Sequence, residues 1–263
     1  MKILTINTHS ILEKDYEKKC EYFKDAIIKI QPDIIAMQEV SQSKWAKTVD
    51  NPNYIGTIPI KSDNHALKIS KMLSDYGIHY FYNWLGIKYG YKIFEEGISV
   101  FSKKPIESIS QLLLTKKDDI YNWKTRKAQI AKIDNMLICN VHMGWWDDND
   151  EPFLSQFNIL NNELSKEDLQ IFLMGDFNSP ADEKNTGYET IINSGWFDTY
   201  TLADMKDNGY TVTKKIDGWE TNENKRIDYI FTNRKIPVKS SKVIFNRENE
   251  NIISDHFGVI IEI

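Results

Sequence analysis

"FLMGDFNSP", residues 172–180, is an apolar run that stops on a glycine and then sets Asp176 and Asn178 one residue apart. Residues 171–174 (Ile, Phe, Leu, Met) have the length and composition of a short buried strand bounded by turn residues. Side chains two apart along a strand point to the same side, so Asp176 and Asn178 are expected to share a face where the strand runs out. Gly175 permits a bend there, and Pro180 blocks continuation. A carboxylate beside a carboxamide at the C-terminal edge of a buried strand suits chemistry. The same two residue types are also the commonest formers of simple turns.

Working outward, strands alternate with helices. "KILTIN" reads as a strand, and Tyr16, Cys20, Phe23, Ile27 and Ile30 mark an amphipathic helix that Pro32 ends. "IIAMQEV" is another apolar strand, and "HALKISKMLSDYG" a helix closed by Gly77. "GISVFS" and "PIESISQLLL" read as neighbouring strands joined by a "KKP" turn, and "AQIAKI" and "MLICNVH" as a hairpin over "DN". Leu154, Phe157, Leu160 and Leu164 predict a further helix, and "YETIINSG" a short one. "RIDYIFTN", "PVKSSKVIF" and "FGVIIEI" are strand-like. With no repeat, low-complexity tract or linker, one α/β domain over residues 1–263 is expected, with stacked sheets and outer helices.

The composition narrows the function classes. Lys plus Arg number 33 and Asp plus Glu 38, a net charge of −5, which argues against a protein that grips duplex nucleic acid through many phosphates. Cys20 and Cys139 lack metal-ligand spacing and read as buried free thiols. The N-terminus has only a four-residue apolar burst before Asn7, unlike a secretory signal, and no apolar run approaches membrane-spanning length. A cytoplasmic, monomeric protein with no membrane partner is the expectation.

Polar residues recur where these strands end. "KILTIN" ends on Asn7, "IIAMQEV" carries Glu39, "MLICNVH" ends on His142, "RIDYI" holds Asp228, and Asp255 and His256 precede the last strand. Each alone has an ordinary explanation as a solvated or capping residue. Together they supply carboxylates, carboxamides and two imidazoles without a thiolate cluster, a set that suits Mg²⁺, Mn²⁺ or Ca²⁺ rather than structural zinc.

In order and spacing, Asn7, "QEV", "EEGISVFS", Thr125–Arg126, "NVH", "GDFN", "RIDYIF" and "SDHFGV" resemble the endonuclease/exonuclease/phosphatase superfamily over essentially the whole chain. The resemblance implies a four-layer α/β sandwich, with two mixed β-sheets packed face to face and an active site where loops of both sheets meet. It implies a metal-dependent hydrolase that directs water onto a phosphate ester. By that resemblance, Glu39 holds Mg²⁺ or Mn²⁺, with Asp255 and Asn7 completing or orienting the shell. Asp176 positions or deprotonates the attacking water, and Asn178 fixes that water or donates to the transition state. His256 binds phosphate or shares the acid–base work, with Asp228 on its second ring nitrogen. His142 also touches the phosphate, with Glu96 as its carboxylate partner, and Arg126 clamps phosphate oxygens.

The branch of the family that acts on abasic DNA has Tyr where this chain has His142, which points away from DNA repair. Asp147, Asp148, Asp150 and Glu151 follow and would repel a polyanion if they border the site, or else form a solvated turn before the helix at Pro152. Trp84, Tyr89, Tyr91, Trp123, Trp145, Trp146 and Trp219 fall in expected loops, and Trp145 and Trp146 are the expected substrate contacts. "HMGWWDD…EPF" resembles a Gram-positive branch that includes sugar-phosphate phosphatases, among them maltose 6′-phosphate phosphatase. The leading expectation is therefore a phosphatase acting on a small phosphorylated metabolite such as a sugar phosphate. A Mg²⁺-dependent nuclease is the alternative. A phospholipid or inositol-phosphate diesterase, which would need an exposed apolar hairpin, ranks third, and a non-catalytic binding module last.

Overall fold

In the computed structural model, which describes residues 1–213 and 223–263, β1 (Lys2–Asn7) runs down the middle of a seven-stranded sheet. Its companions are β2 (Ile34–Ser43), β3 (Phe81–Gly90), β4 (Phe94–Ser102), β10 (Ala203–Lys206), β12 (Val238–Ile244) and β13 (Gly258–Glu262), in the order β10-β12-β13-β1-β2-β4-β3. The second sheet contains β5 (Ser108–Leu113), β6 (Lys127–Ile133), β7 (Met136–His142), β8 (Gln170–Asp176), β9 (Phe197–Asp198) and β11 (Asp228–Thr232), in the order β5-β6-β7-β8-β11-β9. Both sheets are mixed: β1 is parallel to β2 and antiparallel to β13, and β8 is parallel to β7 and antiparallel to β11.

The central strands are apolar on both faces because each face is covered. Leu4 and Ile6 of β1 meet Phe23 and Ile27 of α1 (Tyr16–Ile30) and Ile69 and Leu73 of α2 (His65–Ser74). Ile3, one residue out of phase, faces the other sheet, where it joins Ile138, Phe172, Met174 and Ile230. Leu173 of β8 turns outward to Phe157 and Leu160 of α3 (Phe153–Leu164) and Ile191 of α4 (Gly187–Asn193). The fifth helix, α5 (Thr199–Leu202), is short. Helices, sheet, sheet, helices is the four-layer α/β sandwich expected from the sequence. Each fully buried Phe, Leu or Met side chain contributes about 1.5–3 kcal/mol to holding these layers together.

Near one end of the sandwich, polar side chains bridge the apolar layers. Gln38 donates to Thr5 Oγ1 at 3.1 Å and to Asn140 Oδ1 of the opposite sheet at 2.7 Å. Asn140 returns hydrogen bonds to the carbonyls of Met37 and Ser99 at 3.1 and 3.0 Å. These bonds hold the two sheets in register beneath the strand ends.

Several expectations need correction. "KKP" does not join neighbours: Lys103–Pro105 carries the chain from β4 in one sheet to β5 at the edge of the other. Trp84 and Tyr89 are not in loops but in β3, whose glycines Gly86 and Gly90 disguise a ten-residue strand. Trp84 is buried and donates Nε1 to the Val40 carbonyl at 2.8 Å, so its role is packing. Leu154 is exposed, and Phe153 takes the inward position on α3 instead. The elements β9, α5 and β10 are too short to show periodicity in the sequence. Cys20 and Cys139 are buried and free, as expected.

Candidate active site

Parallel neighbours end together, and antiparallel neighbours begin where those end. The last residues of β1, β2, β7 and β8 and the first of β4, β11 and β13 therefore emerge at one end of the sandwich. Asn7 links the sheets there, donating Nδ2 to Glu39 Oε1 at 2.9 Å and to Asp176 Oδ2 at 3.0 Å. Glu39 stands where the β2–β4 register shifts between Met37 and Val40, and its backbone is left-handed, at φ 53°. Non-glycine residues held in that region carry strain of about 1–3 kcal/mol and concentrate at functional sites.

Gly175 has φ 140°, and a Cβ on it would lie 1.9 Å from the Val141 carbonyl oxygen. Only glycine lets β8 approach β7 this closely, and the pairing aligns Asp176 with His142. Asp176 is buried. Its Oδ1 accepts from the Asn178 backbone at 2.9 Å, while Oδ2 lies 3.7 Å from His142 Nε2 and 3.8 Å from His256 Nε2. Asn178, also left-handed, donates its carboxamide to the Met143 carbonyl at 3.1 Å. Asp228, opposite Asp176 in the β8–β11 register, meets His256 Nδ1 at 2.9 Å.

A cleft of about 510 Å³ opens over these groups. Glu39, Glu96, Arg126, His142, Trp145, Asp176, Asn178, Asp255 and His256 all line it. Asn7 and Asp228 stand behind them as hydrogen-bond partners. Two expected contacts differ. Glu96 pairs with Lys88 at 3.1 Å rather than with His142, because Lys88 lies on the facing strand β3 in register with it. Trp146 turns away from the cleft and packs against the core beneath α3, while Trp145 meets Trp123 with ring centroids 5.4 Å apart. Trp219 lies outside the described residues.

The endonuclease/exonuclease/phosphatase family matches residues 5–256, nearly the whole chain. The chain belongs to this family. It is a metal-dependent hydrolase of phosphate esters, as members of the family are. A structure of an endonuclease/exonuclease/phosphatase family protein from Leptotrichia buccalis is 32% identical, with a TM-score of 0.90 over 100% of this chain and 98% of that one. A mannosyl-6-phosphatase from Bacteroides thetaiotaomicron is 17% identical with a TM-score of 0.69, covering 100% of this chain and 98% of that one. A 3′ phosphatase from Neisseria bound to a product DNA hairpin is 18% identical with a TM-score of 0.67, at the same coverage. At those identities the last two share the fold alone. A comparison with curated proteins finds no match. Among the described residues, no helix is long and apolar enough to cross a membrane.

The family's need for a divalent cation fits the donors in this site. Burial, then the charges of Glu96 and Asp255, push the Glu39 carboxyl above the usual carboxylate range. A cation among these oxygens relieves that crowding. Burial would also raise Asp255, but His256 and His9 outweigh it and hold it low. Two groups of donors each gather within 4.8 Å: His9, Glu13 and Asp255, and Asp176, Asp228 and His256. In the second, the hydrogen bond that His256 Nδ1 donates to Asp228 already occupies one imidazole nitrogen.

The two site histidines differ in charge. Burial lowers the His142 imidazole well below its usual range, and Arg126, Lys88 and His256 lower it further. Burial acts the same way on His256, but Asp228 and Asp176 outweigh it and raise it well above. Burial raises the Asp176 carboxyl to about 7, against the pull of His256.

Sequence reading missed His9 and Lys88. His9 follows Asn7 by two residues past the strand end, a signal that was available. Its ring is 2.9 Å from Glu13 Oε1. Burial would lower its pKa, but Glu13, Asp255 and Glu39 raise it to about 9. Lys88 gave no signal, because it belongs to the strand that the glycines concealed.

Proposed function

We propose that this protein is a Mg²⁺-dependent phosphatase of a small phosphorylated metabolite, a sugar phosphate in particular, working in the cytoplasm as a single catalytic domain over residues 1–263. The observation that carries this reading is the make-up of the cleft, in which carboxylates and imidazoles at the strand ends continue into the aromatic walls of Trp123, Trp145 and Tyr89. Aromatic faces beside a few polar groups suit a sugar ring.

In this reading Glu39 and Asp255, with Asn7 orienting Glu39, hold the cation, which when bound supplies Lewis-acid polarisation of the phosphoryl group. Asp176 accepts the proton of the attacking water. The carboxyl sits close enough to neutrality to take that proton and release it again. Asn178 orients the water from the same turn. His256, held as imidazolium by Asp228, donates to a phosphoryl or leaving-group oxygen. Neutral His142 donates a second hydrogen bond, and Arg126 faces the remaining oxygens.

The acidic loop carries less weight than the sequence suggested. Lys124 pairs with Asp148 and Asp150 at 2.7 and 2.6 Å, and Asp148 accepts from the backbones of Asp150 and Glu151. Much of that charge therefore organises the loop. One observation favours a second reading, a phospholipid-headgroup diesterase. The β3–β4 turn and the neighbouring loop expose Tyr91, Ile93, Ile120 and Tyr121 beside the cleft.

A screen with Mg²⁺ across sugar phosphates, nucleotides, DNA and phospholipid vesicles separates these readings. Phosphate release from a sugar phosphate, abolished by EDTA and by Asp176→Asn, is the expected result. Robust cleavage of DNA or of vesicles without monoesterase activity would reverse the assignment.

A further inference from the structure

We propose that Lys88 and Arg126 form a receptor for the second negative charge of a phosphomonoester, and that this pair makes the site select monoesters over diesters. The inference rests on the phosphoesterase reading above and names what sorts its substrates.

Arg126 is only 5% exposed, yet its guanidinium is half used. Nη1 donates to the carbonyls of Trp123 and Thr125 at 2.9 and 3.1 Å. Nε is buried without a partner, and Nη2 makes no hydrogen bond among the described residues. The Nε–Nη2 edge is the fork that pairs side-on with two oxygens of an oxyanion. A buried donor without a partner is destabilising, so an arginine fixed in this state is preorganised for a ligand.

Lys88 reaches the same place from β3. Its ammonium lies 3.1 Å from Glu96 Oε1 and 3.0 Å from the Trp123 carbonyl, leaving one of its three donors over. The Trp123 carbonyl thus accepts from both cations and sets them side by side in the cleft that holds Asp176 and His256. Glu96 is the one carboxylate ion-paired to either of them among the described residues, while Asp176, Glu39 and Asp148 act on Arg126 without pairing to it, so neither cation is fully neutralised by a direct partner. The crowding is felt by the groups themselves: burial and Arg126 lower Lys88, and both cations help lower His142.

A phosphomonoester is close to a dianion above its second pKa of about 6. A diester carries one charge, and an alkyl group replaces the third charged oxygen. Two cations with low exposure to water attract the dianion more strongly, and the alkyl group leaves the Arg126 fork with one oxygen fewer to grip.

The test compares p-nitrophenyl phosphate with bis(p-nitrophenyl) phosphate at pH 8 with Mg²⁺, in the wild type and in Lys88→Met. Loss of one charge-assisted contact predicts a fall of about 30-fold in kcat/KM for the monoester and less than about threefold for the diester. Equal losses on both esters, or none on either, would overturn the pairing. Should Lys88→Met not fold, the wild type decides alone: methyl phosphate must inhibit about 30-fold more strongly than dimethyl phosphate, and equal inhibition overturns the proposal. A wild type that releases phosphate from no monoester, sugar phosphates included, defeats the phosphatase reading proposed above, and the selection with it, which is a different outcome from an unselective enzyme.

Discussion

Two imidazoles approach the same oxygen of Asp176, one from each sheet. His142 ends β7, and His256 lies in the segment entering β13. Both are buried, and they stand 3.7 and 3.8 Å from Asp176 Oδ2. One is neutral and the other charged, because Asp228 reaches His256 Nδ1 at 2.9 Å while His142 faces Arg126 and Lys88. His65 calibrates the comparison. It is buried at the start of α2 beside Tyr16, and burial with the nearby Lys68 lowers its pKa to about 3. Burial, with Lys68 adding to it, therefore neutralises an imidazole here, and His256 departs from that pattern because carboxylates surround it.

The largest effect is expected from removing the cause of the difference. Asp228→Asn should lower kcat by about 10²–10³-fold with little change in KM, since an imidazolium donor loses its charge and its orientation. His142→Asn, which removes one neutral donor, should cost only about tenfold. Steady-state kinetics on both variants checks this, and equal losses would erase the distinction between the two corners.

Next in size is Gly175→Ala. Its Cβ would press on the Val141 carbonyl, so β7 must move away from β8. A loss of about 2–4 kcal/mol in urea unfolding is expected. Any refolded protein should show a weakened His142 corner with the His256–Asp228 pair intact.

Acid stability comes third. Unfolded His65 takes up a proton near pH 6.5, whereas folded His65 does so only near 3. The unfolded state binds more protons between those values, so stability is full above 6.5 and falls as pH drops toward 3. This group alone should remove about 2 kcal/mol between pH 7 and 4.5, and His65→Gln should flatten that part of the curve. The smallest effect is a spectroscopic one. In metal-free protein, imidazole NMR should show His256 protonated and His142 neutral across the neutral range. Asp228→Asn should bring His256 back down, and a His256 that titrates near 6.5 in the wild type would remove the basis for the contrast.

Much of the architecture was readable because it rests on local rules. "KILTIN" and "IFLMGD" are apolar without alternation because both faces are covered, and the Tyr16–Ile30 spacing shows one helical face. Where local rules are ambiguous the reading failed. Gly86 and Gly90 hid β3, and with it the true partner of Glu96. Trp145 and Trp146 are adjacent and chemically identical, and nothing local says which ring faces the cleft.

By themselves, the residues in order determined which reactive groups exist and that they sit at strand ends, since strand period and turn chemistry depend only on near neighbours. Tertiary structure alone decided which imidazole carries a proton, which cation Glu96 holds and which arginine edge stays open. Those properties follow from burial and from distances of a few ångströms between groups far apart in the chain, and no linear pattern encodes them.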